Sequence, residues 1–229
     1  MHSLVRHFNR LPLNHDEFLN LNEIQTLPVQ LQKIDVTVGD ELRTDALPPP
    51  PDPEHTMGVW RVPMISPRIV VLGDRGSGKR IMLRYMAVMI ASDLVSHELY
   101  NRWVLFRGHA PVSDFLPIYA NLWDFAAQSE PLAKYLAKTC AQHGLPWADR
   151  VLRRKLDKGE CFLLLNGLES VPDDRRDWVT GQIAQLSREY GRRNQFIVTS
   201  ELGGYRHELD GFTTLQLLGL SDDGVKQFI

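Results

Sequence analysis

The stretch that most restricts the fold is "RIVVLGDRGSGKR", residues 68–80. Ile69 to Leu72 form a short aliphatic run ending at Gly73, the pattern of a strand covered on both faces in a parallel sheet. Gly73, Gly78 and Lys79 fit the spacing G-x-x-x-x-G-K, and a helical segment runs from Lys79 to about Leu94. A strand, a glycine-rich turn and a helix opening on a lysine form a cradle for phosphate. Glycines let successive backbone N–H groups turn inward, the helix adds the positive end of its dipole, and the ammonium neutralises phosphate charge. The candidate nucleotide-binding residues are therefore Gly73, Asp74, Arg75, Gly76, Ser77, Gly78, Lys79 and Arg80. Asp74 and Arg75 either touch phosphate and cap the loop or stand at the surface. Arg80 breaks the motif, because the next residue is ordinarily a Ser or Thr whose hydroxyl holds Mg²⁺.

From Val59 onward strands and helices alternate. "LPIYANL" (116–122), "CFLLLNG" (161–167), "QFIVTS" (195–200) and "FTTLQLLGLS" (212–221) read as further strands. Helices are expected through "AKYLAKTCAQHG", through "ADRVLRRKLDKG" up to Gly159, and through "DDRRDWVTGQIAQLSREYG", with acids at its start and Gly191 at its end. This order predicts an α/β fold with a parallel sheet flanked by helices. Upstream, residues 1–43 form an N-terminal extension in which Ile24–Val38 is a strand or an extended arm. Residues 44–58 are a Pro-rich linker with four successive prolines and another at Pro53, stiff and poor in backbone donors. The domain proper is 59–229. "SDDGVKQFI" starts a helix that stops at the chain end, so the domain is expected to be C-terminally truncated and part of a larger protein.

Composition narrows the partners. With 26 basic and 28 acidic residues the formal charge is −2, which provides no global attraction to nucleic acid or an anionic membrane. Two cysteines, Cys140 and Cys161, without C-x-x-C spacing suggest neither a disulfide framework nor a zinc site, and no histidine pair has metal spacing. No segment has the pattern of a signal peptide or a membrane span, so a cytoplasmic location is expected. The clusters "RVLRRK" (150–155) and "DDRRD" (173–177) read as solvated helix faces, and Trp60 as a packing residue rather than a base-stacking one.

Four blocks now act together. "FLLLNGLESVP" (162–172) has the form of a Walker B strand and its acidic continuation, and "FIVTSELGGY" (196–205) that of a sensor strand whose Gly-Gly-Tyr turn lies at the site's rim. With "LPIYANL" and "FTTLQLLGLSDDGVKQFI" (212–229), these resemble the NACHT family of signal-transducing (STAND-type) P-loop NTPases over about residues 59–229. The resemblance implies a three-layer P-loop NTPase fold with a parallel sheet of ASCE order 5-1-4-3-2. It also implies ATP or GTP binding, slow hydrolysis, and nucleotide-controlled assembly through protein partners or self-association of a larger chain.

The departures from the family pattern share a direction. Arg80 replaces the metal-binding hydroxyl, Asn166 replaces the acid that ends the Walker B strand, and Glu201 stands where the sensor strand usually carries arginine. Glu169 keeps a carboxylate, but Ser170 replaces the acid that prepares the attacking water. Phosphoryl transfer needs a bridging metal and an oriented water, so no catalytic residue and no metal ligand is assigned. Three readings stay open. The domain is a switch that binds ATP or ADP with little use of Mg²⁺, Arg80 supplying some of the missing charge. Alternatively it is a scaffold whose site is plugged by an Arg80–Glu201 ion pair, or a working Mg²⁺-dependent NTPase.

Overall fold

The computed structural model of the 229-residue chain describes residues 10–12, 18–20, 30–33, 56–96, 115–191 and 193–218. Strands β1 (Arg10–Pro12) and β2 (Phe18–Asn20) pair antiparallel as a ribbon of their own. Seven others form one sheet: β3 (Gln30–Lys33), β4 (Thr56–Gly58), β5 (Arg68–Gly73), β6 (Leu116–Asn121), β7 (Cys161–Asn166), β8 (Gln195–Glu201) and β9 (Thr213–Leu217). The helices are α1 (Val62–Ile65), α2 (Lys79–Ser96), α3 (Leu122–Ala126), α4 (Leu132–Gln142), α5 (Ala148–Lys158) and α6 (Asp173–Tyr190).

Across the sheet the order is β4-β3-β9-β5-β8-β7-β6. The five strands from β9 to β6 are mutually parallel, and numbered in chain order they lie 2-3-4-1-5 from the β6 edge. Alternation of side chains along each strand divides the core in two. Val70, Leu72, Leu163, Leu165 and Val198 pack under α4, α5 and α6, around Leu136, Leu152, Val179 and Ile183. Ile69, Val71, Leu164, Ile197 and Leu215 face α2, whose Met82, Leu83, Met86 and Ile90 are buried against them. Helices on both faces are why the strands read as continuous apolar runs, not alternating ones. Cys140 and Cys161 are free and buried, as an apolar setting predicts, and burial raises both thiol pKa values, that of Cys140 to about 12. Among the described residues no helix is long and apolar enough to cross a membrane.

Several expectations change. The sheet does not begin at residue 59: β3 pairs antiparallel with β9, and β4 with β3, so part of the N-terminal extension and the last residues of the Pro-rich linker belong to it. The prolines themselves, the side chain of Trp60 and the helix expected from Ser221 lie outside the described residues. The "DDRRD" cluster is not a solvated face throughout. Arg176 is 5% exposed and bonds both Glu208 and the Gly204 carbonyl, because the segment after β8 folds back over α6. Arg175 donates to the carbonyls of Ala126 (3.0 Å) and Gln128 (2.6 Å), with its guanidinium 4.2 Å from the centre of the Trp178 ring. Arg150, Arg153 and Arg154 on α5 are exposed, as expected. Gly159, at φ 73°, ends α5 in the left-handed region. Gly191 ends α6 at φ −79°, so its role is size: a Cβ there would collide with the Ser187 carbonyl and the Arg68 guanidinium.

Candidate functional site

The loop between β5 and α2 lies at the C-terminal ends of the parallel strands, the edge where open α/β sheets receive ligands. Gly76 (φ 80°) and Gly78 (φ 92°) are left-handed, and a Cβ at either would meet nothing within 4 Å. What these glycines supply is therefore backbone conformation, at a position where another L-residue would be strained by about 1–2 kcal/mol. Gly73 is small for a different reason: a Cβ would lie 2.6 Å from Ser77 Oγ and 3.2 Å from Leu217 Cβ. The turn closes through the Ser77 N–H to the Asp74 carbonyl at 3.1 Å, and α2 begins with the Met82 N–H to the Gly78 carbonyl at 2.8 Å.

Lys79 is 8% exposed, and its Nζ donates to the Gly73 carbonyl at 2.7 Å and the Asp74 carbonyl at 2.8 Å. Burial lowers its pKa, while Glu169, Glu201 and Asp74 oppose the shift. Glu169 stands in the 3-10 turn Leu168–Ser170 after β7. Burial raises its carboxyl pKa, against its own backbone N–H and Lys79, while the charge of Glu201 adds to the rise. Its Oε2 and the Ser77 hydroxyl are buried without a hydrogen-bond partner among the described residues. Gly204, in the turn after β8, lets that turn close on Glu169: a Cβ there would lie 3.2 Å from the Glu169 Cβ. The Gly-Gly-Tyr turn is thus at the rim. The unpartnered Ser77 hydroxyl and a buried ammonium whose acceptors are loop carbonyls make a cradle that residues 73–79 could turn to a phosphate, whereas the Glu169 carboxylate would oppose one.

The donor set at the ends of β6, β7 and β8 does not fit Mg²⁺. Asn166 Oδ1 accepts from the Thr199 hydroxyl (3.2 Å), and its Nδ2 donates to Asn121 Oδ1 (3.3 Å). Thr199 Oγ1 in turn accepts from the Gly167 N–H at 3.0 Å. Asn121 Oδ1 also accepts from the Tyr119 hydroxyl (2.9 Å), and Asn121 Nδ2 donates to Asp124 (3.1 Å). A neutral amide whose oxygen is already used offers a hard dication neither charge nor a free lone-pair direction of carboxylate strength. Ser170 is exposed, and Arg80 has no hydroxyl to offer.

Arg80 and Glu201 do not form the expected plug. No ion pair joins them among the described residues. Burial raises the Tyr119 pKa while the charges of Arg80 and Arg84 oppose the shift, and Arg84, one turn on, stands 5.9 Å from the centre of that ring. Glu201 faces Lys79 and Glu169. Asp74 and Arg75 are exposed. Sequence reasoning missed Tyr119, Asn121 and Thr199; the available signal was their position at the C-terminal ends of strands, where polar residues interrupt apolar runs.

Compared with models of known protein families and with curated protein sequences, the chain matches none. The site therefore rests on its own geometry: a glycine turn, a buried ammonium, two nearby carboxylates and a neutral polar network at the ends of β6, β7 and β8.

Proposed function

We propose that this chain is a NACHT-like P-loop module that binds ATP or ADP at residues 73–80 with little dependence on Mg²⁺ and with hydrolysis impaired or absent. In this reading it is the regulatory part of a larger cytoplasmic signalling or defence-type protein and acts through protein partners or self-association. The observation that carries the reading is the buried Lys79 ammonium, set behind the left-handed Gly76 and Gly78 at the C-terminal end of β5. The strand order supports it, since 2-3-4-1-5 counted from the opposite edge is 5-1-4-3-2. The neutral Asn166 and the exposed Ser170 argue against hydrolysis, because neither can hold a metal or orient water as a carboxylate does.

One observation favours a second reading, a scaffold with an empty site: Lys79 is already satisfied by its own loop, and two carboxylates lie near it. Thermal unfolding with ADP or ATP, each with Mg²⁺ or with EDTA, separates the two. A ligand at a hundred times its Kd adds about 2.7 kcal/mol. The midpoint should rise by several degrees in either medium, and Lys79→Ala should abolish the rise. No shift at saturating nucleotide would leave the scaffold reading, and phosphate release that requires Mg²⁺ would overturn the impaired-hydrolysis part.

A further inference from the structure

Glu169 brings a carboxyl to a cradle read as an anion site, and the fold shuts one of its oxygens away. In the pairing of β5 with β8, Gly73 lies opposite Glu201, so Glu201 stands beside the residue whose carbonyl holds the Lys79 ammonium. The turn after β8 joins Glu201 to Glu169: a Cβ on Gly204 would lie 3.2 Å from the Glu169 Cβ and 3.8 Å from the Glu201 Cβ. Glu169 Oε2 is buried there with no hydrogen-bond partner among the described residues, and so is Ser77 Oγ inside the loop. An ionised oxygen cut off from water and from any donor is costly, whereas a protonated one is a donor in want of an acceptor. The surroundings favour the second state. Burial, the largest influence, raises the Glu169 pKa, and Glu201 adds to the rise, while Lys79 of α2 and backbone N–H groups oppose it. Asp74 is exposed and acts on Lys79. Helix α3, also packed on the Leu168–Ser170 turn, carries Asp124, whose exposed carboxylate takes the Asn121 amide at 3.1 Å.

We propose that Glu169 is a proton-carrying ligand of the phosphate: the site takes up a proton with the anion, and the Glu169 carboxyl donates that hydrogen to a phosphate oxygen beside Lys79. This rests on the reading of residues 73–80 as a phosphate site. The proton comes from solvent, and no covalent bond to the nucleotide forms or breaks. An anion entering with Glu169 ionised would meet one ammonium against the carboxylates of Glu169, Glu201 and Asp74. Protonation removes one of those charges and turns the same oxygen into a donor. The affinity for a phosphate ligand therefore falls as the pH rises through the raised Glu169 value.

The test is calorimetric titration of ADP, from the ordinary carboxylate range to mildly alkaline pH, in two buffers of different ionisation enthalpy at each pH. The proteins are the parent, Glu169→Gln, Glu169→Met and Lys79→Ala, with the unfolding midpoint of each recorded. Gln keeps a donor and cannot ionise; Met is neutral, of similar length, and has no donor. The titration of ADP itself is common to all four, so ratios between them cancel it. Relative to Glu169→Gln, the parent should lose affinity as the pH rises, by up to about tenfold per pH unit for one linked proton. It should also take up more protons on binding than Glu169→Gln does. Glu169→Met should lose the same pH dependence but bind about tenfold more weakly than Glu169→Gln, as for loss of a hydrogen bond to a charged group. If the Gln and Met variants bind alike, the proton only relieves repulsion and the donor role is wrong. If the parent and Glu169→Gln keep a constant ratio at every pH, no proton is linked and the proposal fails, while loss of binding in Lys79→Ala shows that the phosphate site stands. A parent that binds no ADP at any pH would end the phosphate-site reading and this proposal with it.

Discussion

At the scale of single residues, the site is a balance of one buried ammonium against nearby carboxylates, of which burial has made Glu169 reluctant to ionise. Glu169 illustrates the sign. Its pKa is raised in the folded protein, first by burial, so between the ordinary carboxylate pKa and the raised one the folded state holds more protons than the unfolded state. Stability from this group is then present at acid pH and is lost as the pH rises through the raised value. Glu169→Gln, which cannot ionise, should be more stable than the parent at neutral pH, and the difference should shrink as the pH falls toward the ordinary carboxylate range. Urea unfolding across that interval measures it. A Gln variant less stable than the parent at neutral pH would mean that attraction to Lys79 outweighs desolvation. Gly78→Ala offers a second check, since it would force a side chain to φ 92° and should destabilise by about 1–2 kcal/mol in chemical denaturation.

At the scale of elements, the segment from β8 to β9 is held to α6 by charge rather than by apolar area alone. Arg176 on α6 pairs with Glu208 and with the Gly204 carbonyl, and both partners of the ion pair are largely buried. Arg206 reaches Asp173 at 2.8 Å, but both side chains are exposed, so that pair adds little. Removing one member of a buried pair strands the other, at a cost of about 3–5 kcal/mol. Arg176→Ala should therefore lower stability by that order in urea unfolding, and Arg206→Ala should stay near the parent. Because Gly204 lies against Glu169, the same variant should speed amide hydrogen exchange at residues 202–212 before it affects β5. Equal exchange in both variants would show that the clamp does not hold this turn.

At the scale of the whole molecule, the sheet is a parallel five-strand unit with an antiparallel margin drawn from residues well before it in the chain. Leu31 on β3 is fully buried opposite Leu217 of β9, in the same apolar cluster as Val71, Leu215 and α2. An arm that only tethered the domain would tolerate truncation there. Leu31→Ala should instead cost about 2–5 kcal/mol, as for other buried leucines, measured as a fall in the urea midpoint. A change below about half a kcal/mol, the range of surface substitutions, would mean that β3 adds no core to the domain.

Much of this architecture was legible because its causes are local. The run Ile69–Leu72, the acids that open α6, and the glycines at 76, 78 and 159 act through side-chain periodicity, end charge and allowed φ, all properties of neighbouring residues. The glycine turn between β5 and α2 follows from the same short-range rules. The partners of the long side chains were not legible. Arg80 forms no ion pair with Glu201 although β5 and β8 are neighbours, and Arg176 is buried because a distant turn folds over it. Nor did any local signal join Gln30–Lys33 to β9. By itself the sequence determined the elements and the kind of loop between β5 and α2. Strand adjacency and helix crossing decided which charges meet, because those contacts depend on distances through space between residues far apart in the chain.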